Sequence, residues 1–178
     1  MAYTNTNADN VQLGTCSVMF GSTDLGLTKG GVEVTVSTNT YKITVDQFGQ
    51  TEINEYIMGR TAMVKVPLAE TDLTIFSKVI PGSTLVTDGT TPTKKQLKVP
   101  TGVGVGLRAF ADVLKCHPIA LGSTAKNQDF TLPVSAPKGE FQFAFKLDEE
   151  RIYNVEFIGY PDLSTGLLYV IGDTTATA

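Results

Sequence analysis

Residues 30–46 read GGVEVTVSTNTYKITVD. Val32, Val34 and Val36 alternate with Glu33, Thr35 and Ser37. A period of two marks a half-buried β-strand, with one face on a core and one in solvent. Across STNT, residues 37–40, the phase slips, and the apolar residues become Tyr41, Ile43 and Val45. A one-residue slip sends every later side chain to the other face unless the backbone corrects it. STNT is therefore expected to hold either a β-bulge, which bends the strand and restores the phase, or a tight turn.

Working outward, the surrounding segments are also β-rich. Leu13 to Phe20 reads as a strand, GSTD as a turn, and Leu25 to Leu27 as the returning strand. Residues 61–68 alternate again, with Ala62, Val64, Val66 and Leu68 on one face, and should pair antiparallel with the opening strand. Between them, residues 47–59 have no clean period and read as a long loop, with room for short extended pieces. Phe48, Ile53, Tyr56, Ile57 and Met58 are too apolar for a free loop of that length, so contact with another subunit is expected there. The termini and the 87–95 loop are the second choice for such contacts. One helix is expected after Thr71 or Asp72, with Leu73, Phe76, Val79 and Ile80 on one face and Pro81-Gly82 as its stop. Further strands are expected over about 103–116, at DFTLPV (129–134), and in a hairpin. In that hairpin Phe141, Phe143, Phe145 and Leu147 would face the same way as Tyr153, Val155 and Phe157. GLLYVIGD closes the chain. The expectation is a mainly β fold in a single domain, 1–178, with residues 1–10 and 173–178 as polar arms poorly ordered without a partner.

The 178 residues suffice for one domain with a real core. Charged residues make up 18%, below the roughly 25% usual for soluble chains, so self-association is expected. A net charge of −4 argues against ordinary nucleic-acid binding, which needs a basic patch. It leaves open a surface that nucleic acid passes without sticking. Cys16 and Cys116 form no disulfide framework and read as reduced thiols of a chain assembled in the cytosol. The polar N-terminus has no signal-peptide pattern, and no apolar run is long enough to span a membrane, so no membrane insertion is expected.

Catalytic patterns are missing. GVGVG at 102–106 lacks the sixth-position glycine of the dinucleotide fingerprint and the Lys-Ser/Thr of a phosphate loop. Its glycines read instead as close backbone approach within a strand. His117, beside Cys116, lacks metal spacing, and neighbours on a strand point to opposite faces. Asp148, Glu149 and Glu150 read as a solvated turn, and Lys94-Lys95 as a solvated pair. With no nucleophile, base and orienter in view, no enzyme activity, cofactor or metal is expected.

The run FGSTDLGLTKGGVEVTV (20–36), then YKITVDQFGQTEINEYIMGRTAMVKVPLAE (41–70), then TDLTIFSKVI (71–80), resembles the major tail protein of long-tailed, non-contractile bacteriophages. DLGLTKGG and TVDQFG carry most of the likeness, which covers most of residues 13–80 and the rest of the chain only in pattern. The resemblance implies a tail tube protein: a β-sandwich or small barrel with one flanking helix. Six copies form a ring, and rings stack into a hollow tube through which double-stranded DNA leaves the capsid without specific binding. Strands of each copy would join a barrel around the lumen. Other implied partners are the tape measure, tail terminator and distal tail proteins. The implied location is the virion tail, assembled in the host bacterial cytoplasm. A related ring or tube protein of a contractile or type VI secretion apparatus is the alternative.

On this reading Val32, Val34, Val36, Tyr41, Ile43 and Val45 pack on the subunit's own core. Glu33, Thr35, Ser37, Lys42, Thr44 and Asp46 face the lumen. The bulge at STNT is then favoured, because a sheet closing into a barrel must curve. Lys42 and Lys65 sit awkwardly in a lumen that should repel phosphate. Either one phase is misassigned, or Glu52 and Glu55 help to make the lumen acidic.

Overall fold

A computed structural model describes residues 11, 13–140 and 142–176. The fold is mainly β, with a large antiparallel sheet and one α-helix. The strands are β1 (Cys16–Phe20), β2 (Thr23–Asp24), β3 (Glu33–Thr44), β4 (Glu52–Leu68), β5 (Thr84–Thr87), β6 (Lys95–Lys98), β7 (Asp112–Pro118), β8 (Phe130–Pro137), β9 (Tyr153–Gly159) and β10 (Val170–Ile171). The main sheet runs β2-β1-β7-β8-β9-β4-β3, with β10 added to β8. β5 and β6 form a separate two-stranded sheet.

The main sheet curls into a sandwich. Two strands, β7 and β8, separate β1 from β9, yet the Phe20 and Phe157 ring centroids lie 5.1 Å apart. Across a flat sheet with strands about 4.8 Å apart those rings could not meet. The curl also brings the segment after β2 against the end of β4: Ala69 donates to the Leu27 carbonyl and Lys29 to that of Pro67. The core between the layers holds Val18, Leu25, Ala62, Val64, Val66, Leu68, Leu114, Leu132, Val155 and Phe157. The apolar face expected for residues 62–68 is fully buried, and so is the trio Tyr153, Val155 and Phe157.

Helix α1 (Leu73–Val79) covers one end of this core. The Asp72 carboxylate accepts from the Thr74 N–H, satisfying a donor that the first turn leaves free. Ile75, Phe76 and Val79 are its buried residues, and Ile80, at the C-cap, is buried beside them. Ile75 was not in the expected stripe. A seven-residue helix buries a wider arc than the narrow stripe of a long one.

Several expected elements differ. The return begins inside GSTD, as the two-residue β2, and not at Leu25 to Leu27. Residues 101–106 form a turn, and only from Asp112 does a strand run. Gly104 has φ +85° and open space where a Cβ would stand, so positive φ explains the glycine and close approach does not. Residues 142–150 form no strand. Phe145 and Leu147 are exposed, and their alternation does not select a buried face. Phe141 lies outside the described residues, as do residues 1–10 of the proposed N-terminal arm. Of the C-terminal arm, residues 173–176 form a turn in which Asp173 accepts from Thr175. Residues 177 and 178 are outside the described set.

The largest difference concerns residues 47–59. They are not a loop. The chain turns over residues 45–51, with Asp46–Phe48 as one turn of 3-10 helix ended by Gly49 at φ 62°. It then runs straight back as β4, 17 residues long. Apolar and polar residues do not alternate here because neither face of this stretch is buried by its own chain.

Candidate functional site

The β3–β4 hairpin is the most unusual part of the surface. Twelve residues of β3 span about 40 Å at about 3.3 Å each. Only residues 63–68 of β4 pair with β9. From Glu52 to Ala62 the sole neighbour of β4 is β3, so more than half of the hairpin is a two-stranded ribbon extending from the sandwich. β3 is also the terminal strand of the sheet path, and among the described residues no strand pairs with its outer edge.

Register resolves the phase slip. Glu33 pairs with Lys65, Val34 with Val64, Thr35 with Met63 and Val36 with Ala62. At the slip, Asn39 pairs with Gly59 but Thr40 with Ile57, leaving Met58 as the extra residue. A second irregularity leaves Ile53 extra between Ile43↔Asn54 and Thr44↔Glu52. The bulges therefore lie in β4, and the expectation of a bulge within STNT is corrected: β3 passes through those residues as an unbroken strand. Its alternation continues uncorrected, so the two apolar sets lie on opposite faces of the ribbon.

Near the sandwich, Val34 and Val36 lie on the core side with Val64 and Ala62. Beyond residue 40 that same face carries Thr40, Lys42 and Thr44 opposite Ile57, Glu55 and Glu52. The other face starts polar, with Glu33, Thr35 and Ser37, and becomes apolar with Tyr41 opposite Tyr56 and Ile43 opposite Asn54. The six lumen candidates are thus divided. Glu33, Thr35 and Ser37 share one face, Lys42 and Thr44 share the other, and Asp46 sits in the turn beyond both. Nor do all six apolar residues of the opening segment pack on the subunit's own core. Val34 is 43% exposed and Tyr41 is 62% exposed, because the sandwich ends beneath them.

Acids and bases meet across the ribbon. Lys42 Nζ lies 2.5 Å from Glu52 and 3.6 Å from Glu55. These carboxylates, Glu52 first, raise the Lys42 ammonium above its ordinary range. Lys65 faces Glu33 at 4.0 Å. Each lysine of the inferred lumen set therefore stands beside an acid. The five contact candidates Phe48, Ile53, Tyr56, Ile57 and Met58 are all at least half exposed.

A second cluster was not anticipated. Asp129, just before β8, is 1% exposed. Its Oδ1 lies 2.6 Å from His117 Nδ1 and its Oδ2 2.8 Å from Lys115 Nζ. Burial pushes this carboxyl up, but the Lys115 ammonium and the His117 ring outweigh it and hold the group below its usual range. No local pattern marks Asp129 in the sequence, since its partners lie across the β7–β8 pairing. Ser17 pairs directly with His117, which places a hydroxyl, an imidazole and a carboxylate close together. They do not form a nucleophile. His117 Nε2 faces the Gly122 carbonyl at 3.1 Å, and the Ser17 hydroxyl donates to the His117 backbone oxygen. A base already facing an acceptor cannot take the proton of the hydroxyl.

Cys116 belongs to the core and His117 to the opposite face, as strand alternation requires. Cys16 and Cys116 are free cysteines. Cys16 lines a groove of about 450 Å³, and hydrogen bonding from the Cys116 thiol lowers its own thiol to about 7. The same bond and burial push Cys116 up. Among the described residues no three or more His, Cys, Asp or Glu side chains are grouped as for a metal ion, and no helix is long and apolar enough to cross a membrane.

The chain matches no protein-family model and no curated protein.

Proposed function

We propose that this chain is a tail tube subunit of a long-tailed, non-contractile bacteriophage. It polymerises as stacked hexameric rings into a hollow conduit for the genome. One observation supports the reading above the rest: the distal β3–β4 ribbon has both faces in solvent, carries aromatic and aliphatic side chains, and ends at an unpaired edge strand. An isolated two-stranded ribbon is marginal in water, and a long free edge invites strand pairing. A ring in which each ribbon joins the sheets of neighbouring copies removes both problems at once.

The change of apolar face at residue 40 supports the same reading. In the proximal half Val34 and Val36 share a face with the buried Val64 and Ala62, and the distal half offers Tyr41 and Tyr56 in the opposite direction. Two halves with opposed apolar faces suit two different neighbours. The proposed partners are other copies of this chain, the tape measure, terminator and distal tail proteins, and DNA in transit. The proposed place is the virion tail after assembly in the bacterial cytoplasm.

Negative-stain microscopy of the purified protein tests this. Hollow filaments or six-fold rings are the expected outcome. A discrete monomer at every concentration would overturn the proposal. A related ring protein of a contractile or secretion apparatus would also give rings, and a sheath gene beside this one would favour that alternative.

A further inference from the structure

We propose that the acidic, apolar tip of the β3–β4 ribbon in one copy docks on the basic β5–β6 hairpin of a second copy. This rests on the tube reading and specifies which two surfaces meet. Residues 43–59 hold Asp46, Glu52 and Glu55 and no Lys or Arg. Residues 73–98 hold Lys78, Lys94, Lys95 and Lys98 against the single acid Asp88.

The four lysines are exposed, and among the described residues none takes part in an ion pair. Asp88 offsets only one of the four charges; its carboxylate accepts from the Thr90 and Thr91 N–H groups and makes no ion pair among the described residues. Six other lysines of the chain do have acidic partners. Of the five lysines without an ion pair among the described residues, four are gathered on one small sheet and the helix beside it; the fifth, Lys126, lies just before β8. On the ribbon, Lys42 serves both Glu52 and Glu55, and Asp46 has no cation among the described residues.

The apolar character matches as well as the charge. Ile53, Tyr56 and Ile57 are exposed on the ribbon, and Val99, Val103 and Val105 are exposed just after β6. A contact between them would bury apolar surface at its centre and place opposite charges at its rim. β5 and β6 pair only with each other, and no ion pair among the described residues joins the two regions within one chain. A patch that fits a different patch on an identical molecule makes a head-to-tail contact, which closes into rings or propagates as a filament.

Charge exchange tests the pairing. One variant carries Lys94→Glu, Lys95→Glu and Lys98→Glu; the other carries Asp46→Lys and Glu52→Lys. All five positions are exposed, and the one ion pair lost, Lys42 with Glu52, is a surface one, so each monomer should melt within about 4 °C of the parent. Sedimentation and microscopy then read the assembled fraction. Each variant alone should lose assembly at least tenfold, and an equimolar mixture should recover it, because each then supplies the surface the other needs. Parent-like assembly of either variant alone, or a mixture that fails to recover, overturns the pairing while the tube reading stands. A parent that never assembles brings down both. If the lysine variant assembles normally and loses only affinity for a duplex DNA fragment, the basic hairpin is a nucleic-acid contact and the proposal is wrong.

Discussion

The two ends of β4 obey different rules. From Ala62 to Leu68 the even residues are fully buried, β9 pairs with residues 63–68, and β3 lies on the other side as far as Lys65. From Glu52 to Thr61 every residue is exposed, one strand flanks it, and two bulges interrupt the pairing. One strand thus passes from a place where its own chain supplies the second face of a core to a place where nothing in the chain does. Alternation records burial, so it is clear in the first part and lost in the second.

The sharpest way to break this comparison is to place the same charge at both ends. Val64→Asp puts a carboxylate where the side chain is 0% exposed. An unpaired buried charge costs at least several kcal/mol, against a domain stability of about 5–15 kcal/mol. The variant should fail to fold, as read by circular dichroism. Tyr56→Asp, at 55% exposure, should change monomer stability by no more than about 0.5 kcal/mol and yet remove assembly. Unfolding of the Tyr56 variant, or a folded Val64 variant, would show that the division is drawn in the wrong place.

The same division explains what the sequence disclosed. The core face of residues 62–68, the strands holding Cys16 to Phe20 and Phe130 to Val134, and the capped helix were legible because each presents one buried side and a local start or stop signal. Residues 47–59 were legible only as an apolar surface in search of a contact. Their extended form is set by pairing with β3, and no local period encodes it. The slip at STNT was visible, but its placement was not, because the extra residue is Met58 on the partner strand. The expected pairing of 142–147 with β9 rests on alternation alone: Phe143 does pack against the Tyr153 ring at 4.8 Å, but Phe145 and Leu147 are exposed and no strand forms. Asp129 was invisible because its meaning depends on Lys115 and His117 across a strand pair.

Asp129 sharpens the comparison from the sandwich side, where a buried charge is tolerated because it is matched. Asp129→Asn keeps the shape and removes the charge facing Lys115. The expected loss at pH 7 is about 2 kcal/mol, or about 4–8 °C in Tm for a chain of this size. The pH dependence has a definite sign. A carboxyl depressed in the folded state contributes stability above its unfolded value of about 3.9, and loses it as pH falls through the lower folded value. Parent and variant should therefore differ most at neutral pH and converge below about pH 4. Asp162 is also held low, by hydrogen bonds from Thr165 and Ser164 that the substitution leaves in place, so it drops out of the difference curve. Asp173, held low chiefly by hydrogen bonds from Thr175, also feels Lys115, so the curve reports the Lys115 surroundings with Asp129 at their centre. A constant difference across this range would mean that shape, not charge, holds the cluster.

The smallest effect tests whether the sandwich is as fully matched as the contrast with the ribbon suggests. Thr131, on β8 opposite Lys115, is 5% exposed, and its Oγ1 is buried with no hydrogen-bond partner among the described residues. Leaving a buried hydroxyl unsatisfied costs about 1–3 kcal/mol, and an apolar group of the same shape carries no such penalty. Thr131→Val should therefore leave Tm unchanged or raise it, by up to about 1 kcal/mol of stability once the loss of a good shape match is counted. Assembly should be unaffected, since the change lies far along the sheet path from β3. A fall of more than about 1 kcal/mol would show that the hydroxyl is satisfied after all, as it would be by a water bridging towards Asp129. The Asp129 cluster would then extend through Thr131, and the Thr131 variant should flatten the same acid limb that Asp129→Asn flattens.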